Sequence, residues 1–492
     1  MSPSNTVPLV THDWPNLCAA GLAKDIEFSP LPPEYALDLL NAVFGVNGQV
    51  ETRKGLVAYS SAWASGTPTQ LFEYLAADGT SRIIAATSSD LFEVTSSAKT
   101  SRVGSLTPSA GDWKFLNFNG KVLGWQAGHT PIVKTGAGNF ANISAASGTL
   151  PDGNAACAAF GRVWALDDDK QTIRYSALLD ETKWDTDDGG GVIDMRTVWT
   201  QGMDQVVAIE AFGSSLVVFG RRHIVLWQDG SGSQLGLSPL NMYVTDTVDN
   251  VGALSRNGVC MVGELDIVFW SDSGIRSLRR SVQERSNPHN DISPKNRLYI
   301  AAGISAINKD NIRMAYHAKD GFVLAQAPAY DQILCFDVRG IMNGGEARMT
   351  EWFVNAKALA ITRDQELLVG ITNNLGTYSG YRDFTVAYTL TINTGWIDIR
   401  GNPRRKQALK LLRSFTNKGQ TSVTYRRDFD ANTDYSVSVG DDFLADTGGQ
   451  QFRAPLAGEA SFIQIGLTNS TTVQSAYGLS GASLYTQPLR LD

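Results

Sequence analysis

The sequence predicts a mainly β protein: a β-propeller of six or seven blades, flanked by an N-terminal segment and a C-terminal β domain. Three observations lead there. Units of apolar run, turn, apolar run, turn and aromatic-bearing run begin at residues 70, 113, 155, 206, 258, 311 and 356. Their steps of 43, 42, 51, 52, 53 and 45 residues suit blades made of short strands. Turn residues such as Asn119-Gly120 and Asp78-Gly79 stand between the runs, where a tight hairpin needs positive φ. One small sheet cannot bury both faces alone, so successive sheets stack around an axis. The alternative is a large antiparallel sandwich whose hairpins only look periodic.

Before the repeats, Pro32-Pro33 precede Glu34–Phe44, where Leu37, Leu40 and Phe44 fall on one helical face and predict a short helix. Residues 1–60 therefore read as a docking segment with that helix, and 61–384 as the propeller. The clearest unit is Gln70–Tyr74, Arg82–Ala86 and Leu91–Val94; the last is Ala356–Thr362, Glu366–Gly370 and Gly376–Tyr381. From 385 to 492 the rhythm gives way to longer alternating stretches, a β-sandwich-like domain with strands at Ala387–Ile392, Gln407–Phe415, Thr421–Phe429 and Ala460–Leu467. Helix propensity competes over Arg405–Phe415, but the alternation after Gly419 supplies a hairpin partner and favours a strand.

Composition limits the function. With 492 residues, 43% hydrophobic and 18% charged, the chain buries a sizeable core and is not disordered. A formal charge of −7 excludes a globally basic nucleic-acid coat. Cys18, Cys157, Cys260 and Cys335 are spaced 139, 103 and 75 residues apart, which suits buried thiols rather than disulfides or a zinc knuckle. No Lys or Arg precedes Lys24 and the N-terminus has no continuous apolar core, so neither a signal peptide nor a membrane span is expected.

No chemistry-bearing motif stands out. His12, His129, His223, His289 and His317 form no metal-binding pair. Gly120-Lys121 lacks the upstream Gly of a phosphate loop, and no helix is expected after Gly136-Ala137-Gly138. Asp185, Asp187 and Asp188 precede Gly189-Gly190-Gly191, yet Arg196 stands where a calcium loop counted from Asp185 needs Glu. A solvated acidic loop is the reading preferred over a cation site. Ser271-Asp272-Ser273-Gly274 resembles the Asp-box turn of sialidase propellers, but it lacks the trailing Trp and does not recur. No catalytic residue, metal or cofactor is therefore expected, and the protein is not read as an enzyme.

Charge is uneven. Residues 385–492 hold 11 Lys and Arg against 9 Asp and Glu, leaving 31 against 40 elsewhere. Arg404, Arg405, Lys406 and Lys410 lead the densest basic cluster. It reads either as a charge-protected strand edge or as a surface pairing with an acidic neighbour, another copy of the chain included.

The segment Asn41-Ala42-Val43-Phe44 through Asn47-Gly48-Gln49-Val50-Glu51-Thr52-Arg53-Lys54-Gly55-Leu56 resembles the start of tail nozzle proteins of short-tailed bacteriophages, also called tail-hub or DNA-stabilisation proteins. In that family an Asn/Gly turn, a short strand and an Arg-x-Gly corner introduce the propeller repeats. Ala460-Ser461-Phe462-Ile463-Gln464-Ile465 and Tyr477-Gly478-Leu479-Ser480-Gly481-Ala482 resemble its closing strands; Lys54 departs from the Pro of many relatives. The resemblance implies a structural virion protein, made in the host cytoplasm and built into the tail. Its copies would form a ring, a hexamer, below the portal–adaptor (head-to-tail connector) ring, with a fibre, needle or plug protein at the far end. Double-stranded DNA would pass through the lumen without specific binding, and an acidic body would let it slide. The competing readings are a propeller glycan hydrolase or depolymerase, which needs two carboxylates facing a pocket, and a monomeric propeller interaction module.

Overall fold

The computed structural model describes residues 10–26, 30–108, 111–200, 202–229, 239–284, 291–304, 309–339, 346–399, 406–415, 421–430, 432–437, 450–456, 459–470 and 478–488. The chain is mainly β, and among the described residues seven sheets follow one another through its middle. Their first strands begin at Gln70, Lys114, Ala156, Val206, Val259, Met314 and Ala358. Within each sheet the strands that follow one another in sequence pair antiparallel, as the tight turns between them dictate. Asn119 and Gly120 take φ of 47° and 69°, the paired left-handed conformation of a two-residue hairpin.

Alternation along the middle strands feeds two cores at once. In Ser215–Gly220, Leu216 and Val218 face the third sheet, while Val217 and Phe219 face the fifth, because successive side chains point to opposite faces. The same device fills every gap. Tyr74 and Ile84 meet Trp113 and Phe115 between sheets one and two; Leu123 and Trp125 meet Val163 and Ala165 in the next gap. Trp270 and Ile275 meet Val323 and Phe336 between sheets five and six. Leu324 and Trp352 meet Leu359 and Tyr378 between six and seven. Leu368 and Leu375 of the last sheet then pack on Leu71 and Ile83 of the first, which closes the ring. The fifth sheet has three strands, Val259–Val262, Asp266–Ser271 and Gly274–Ser277, and a helix, Leu278–Glu284, directly follows them.

The N-terminal segment departs from expectation. Glu34–Phe44 is not a helix: Tyr35–Leu40 and Ala42–Phe44 are strands. Asn41 between them sits at φ 57°, which a right-handed helix cannot contain. Tyr35–Leu40 pairs with Thr389–Thr394 on one side and touches Arg348–Trp352 of the sixth sheet on the other. Two waiting strand edges outweigh a local helical periodicity. Leu56–Ala58 pairs with Asn374–Tyr378 as the fourth strand of the seventh sheet, so the propeller begins before residue 61.

The C-terminal part is built jointly with the N-terminus. Val10–Trp14 and Val50–Thr52 both pair with the final strand, Gly478–Pro488. The expected strand at 407–415 is present as Lys406–Phe415, paired with Gln450–Pro455 and with Gly478–Pro488. Leu39, Ile392, Ile465 and Leu484 share one core, which continues into the gap between sheets five and six.

The two ends of the ring are clasped by Arg53, whose side chain is 0% exposed. Its Nε donates to Asn41 Oδ1 at 3.0 Å, and its two Nη groups donate to the Asp383 carboxylate at 2.9 and 2.5 Å. The guanidinium lies over Tyr388 at 4.1 Å. Two residues on, a β-carbon at Gly55 would collide with the Arg382 carbonyl, so only glycine lets the chain turn into the closing strand. Arg53→Ala strands the Asp383 carboxylate and opens a cavity. It is expected to cost about 3–5 kcal/mol, as for other broken buried pairs, read as a lowered urea midpoint; an unchanged midpoint would contradict the clasp.

A second buried charge cluster joins sheets one and two. Glu93 accepts from Lys134, whose side chain is 0% exposed, at 3.0 Å and from Arg82 at 2.8 Å. Burial pushes the Glu93 carboxyl up, but hydrogen bonds from Lys134 and Arg82, with the charges of Lys134 and Arg102, together hold it below the usual carboxylate range. A carboxyl held low in the folded state stabilises it above the unfolded value, and that stability is lost as pH falls through the folded value. The urea midpoint is therefore expected to drop on the acid side of about pH 4.3, with a shallower drop in Glu93→Gln; equal acid slopes in both proteins would refute it.

Candidate functional site at the axial mouth

The first strand of each sheet packs against that of a neighbouring sheet, so the residues just before these strands gather at one end of the axis. There Arg256, before the fifth sheet, reaches across the ring. Its Nη1 donates to the Asn154 carbonyl before the third sheet. Its Nη2 donates to Asp112, before the second, at 2.8 Å to the carbonyl and 2.6 Å to Oδ1. Arg313, leading into the sixth sheet, donates to the Thr69 carbonyl before the first at 3.4 Å and lies 4.0 Å from Asp112 Oδ1. Both guanidiniums are largely buried, at 4% and 9% side-chain exposure, and burial lowers the Arg313 pKa from its ordinary value. On the first strands themselves, Lys114 and Glu210 pair at 2.8 Å between sheets two and four.

A cavity of about 90 Å³ opens here, lined by Asp112, Asn154, Lys170, Gln205, Arg221, Arg256, Lys309 and Asp310 among others. Arg221 donates to Asp272 Oδ1 at 2.8 Å. The arrangement can bind and orient polar groups. Sequence reasoning passed over it, because Asp112 and Arg256 are 144 residues apart. The signal was the repeat phase, which puts both immediately before a first strand.

Residues singled out in the sequence fall elsewhere. Asp185 caps the short 3-10 turn Thr186–Asp188 by accepting from the Asp187 amide at 3.1 Å, and Lys183 lies 3.8 Å from Asp188. Among the described residues no group of three or more His, Cys, Asp or Glu could hold a metal ion. Arg404 and Arg405 lie outside the described residues, as does His289; Lys406 and Lys410 lie on the strand Lys406–Phe415. Asp272 of the Asp-box-like turn serves as the partner of Arg221.

The described histidines take structural partners. His223 Nδ1 lies 3.0 Å from Asp204 Oδ2, and the neighbouring Thr200 hydroxyl donates to Asp249. His317 Nε2 meets the Gln365 carbonyl at 3.1 Å. All four cysteines are buried and free; burial pushes the Cys260 thiol up to about 12, which leaves it unreactive.

The fold and this site define a class: a ring-closed β-propeller joined to a two-ended β body. No family model matches the chain, and no curated protein does. Among solved structures it is similar to the extracellular domain of a putative one-component system from B. thetaiotaomicron, at 9% identity and TM-score 0.43, over 86% of this chain and 59% of that one. It is also similar to the WD40 propeller domain of Doa1, at 10% and 0.38, over 66% and 96%. A third is PorZ, a surface component of the type-IX secretion system of Porphyromonas gingivalis, at 10% and 0.39, over 72% and 44%. The chain thus spans less than two thirds of the first and third of these. The propeller assignment rests on the seven sheets and their cores.

Arg256→Ala is expected to lower unfolding free energy by about 1.5–3 kcal/mol, the scale of hydrogen bonds to a charged group. Arg256→Lys should recover only part of it, since an ammonium cannot fork between two acceptors. Full stability in Arg256→Ala, measured by urea unfolding, would contradict the cross-axis role.

Proposed function

We propose that the chain is a structural subunit of a phage tail: a nozzle whose copies form a ring, a hexamer, that retains packaged DNA and conducts it on ejection. The observation that carries this reading is the clasp. The segment whose letters resemble the nozzle family, Asn41–Leu56, is the segment that closes this ring. Asn41 supplies the positive φ, Arg53 the buried ion pair and Gly55 the close approach to Arg382. Letters tied to architecture in this way are the ones a shared architecture would keep.

Two further features support it. The propeller axis is crossed by Arg256 at the mouth and by Lys114–Glu210, so a duplex would run between copies and not through one. An acidic body would line such a tube with charge that repels phosphate. Arg404, Arg405, Lys406 and Lys410 would then pair with an acidic face of the next copy. The ring would dock on a portal–adaptor ring and carry a fibre, needle or plug at its far end. No described helix is long and apolar enough to cross a membrane.

The polar recess at the axial mouth favours a second reading, a propeller interaction module that works as a monomer. Light scattering and negative-stain microscopy, with and without a portal–adaptor complex, separate the two. The nozzle reading expects particles of about six times the 53.2 kDa chain mass, as rings, at least when the adaptor is present. A lone particle that never docks would overturn it in favour of the module.

A further inference from the structure

We infer that the axial mouth is an oxyanion site that takes the carboxylate of an acidic side chain from a protein docking on this end of the propeller. Lys170 and Lys309 line the same cavity as Arg256, and neither ammonium has a hydrogen-bond or ion-pair partner among the described residues. They come from different blades, Lys170 from the hairpin Arg162–Tyr175 of the third sheet and Lys309 from the approach to the sixth. The fold, not one basic stretch of sequence, therefore brings them together.

The charge balance favours an anion. With Arg313 beside the cavity, five cations (Lys170, Arg221, Arg256, Lys309 and Arg313) meet three carboxylates, Asp112, Asp272 and Asp310, an excess of two positive charges. Asp112 is taken by Arg256 and Asp272 by Arg221, so Asp310 alone faces the two lysines. The guanidiniums also keep unused donors: the buried Nε atoms of Arg256 and Arg313 have no acceptor. Such orphans raise the local positive potential.

The cavity, about 90 Å³, has room for one carboxylate group, which takes little more space than a water or two. A carboxylate can accept from both ammonium groups through its two oxygens. The long lysine stems give both ammonium groups reach within the cavity that the Arg256–Asp112 pair also lines. This inference does not depend on the oligomeric state, and it survives if the nozzle reading fails.

Isothermal titration of the full chain with a capped Gly-Glu-Glu-Gly peptide, its Gly-Gln-Gln-Gly counterpart and inorganic phosphate tests it. The Glu peptide is expected to bind saturably and the Gln peptide not to bind. Lys170→Gln with Lys309→Gln should weaken the Glu peptide about tenfold, as two exposed ion pairs would, with an unchanged melting temperature. Lys170→Arg with Lys309→Arg should restore binding. Equal binding of the two peptides, or undiminished affinity in the Gln double variant, would overturn the site. Binding of phosphate without the Glu peptide would overturn its assignment to an acidic side chain.

Discussion

A ring of sheets exists only if its last member is held to its first, and in this protein that constraint falls on Arg53. Taking a guanidinium out of water costs several kcal/mol unless its donors are met. Here they are met: Asn41, the Lys54 carbonyl and both oxygens of Asp383 surround it, and aromatic rings of Trp352 and Tyr388 flank it. Asn41 belongs to the N-terminal strands, Trp352 to the sixth sheet and Asp383 to the chain leaving the seventh. One side chain thus registers three parts of the molecule. Its geometry also explains its neighbours, since Leu56–Ala58 can pair with Asn374–Tyr378 only if the chain turns at Gly55.

The same closure makes the two ends of the chain one body. Strands from residues 10–58 are shared between the last propeller sheet and the sheets of the C-terminal part, so neither terminus can be removed without exposing a core. Pairings that span more than 300 residues also predict slow folding, since loop closure precedes the contacts that reward it. A doubly anchored ring is what the proposed tail subunit would need in order to carry load in an assembly. At the axial mouth the buried arginines brace the ring, while Lys170, exposed, and Lys309, half-buried, have no hydrogen-bond or ion-pair partner among the described residues.

What could be read from the sequence was what local chemistry dictates. The units placed at 113, 155 and 258 start within a residue of the strands at Lys114, Ala156 and Val259, because turns such as Asn119-Gly120 declare themselves in two letters. The helix at Glu34–Phe44 failed for the opposite reason. Leu37, Leu40 and Phe44 do repeat at helical spacing, but the partners that make a strand of Tyr35–Leu40 lie near residues 351 and 391. The axial cluster was hidden in the same way, its members looking like isolated charges until the ring brings Asp112 beside Arg256. The tail strand 406–415 was expected from the alternation that follows Gly419, but its partners are Gln450–Pro455 and Gly478–Pro488, while Thr421–Arg427, the hairpin partner expected for it, pairs with Phe462–Ser470 instead.

Ring closure by the N-terminal strand can be tested by a cross-link. Val57 and Thr377 face each other in antiparallel register, at a separation that a disulfide can span. The four native thiols are buried and should not compete. Val57→Cys with Thr377→Cys is predicted to oxidise to one intramolecular disulfide in the native protein, seen as a faster-migrating band under non-reducing conditions and a raised melting temperature. Two free thiols that stay reactive in the folded protein, with no cross-link after oxidation, would contradict the closed ring.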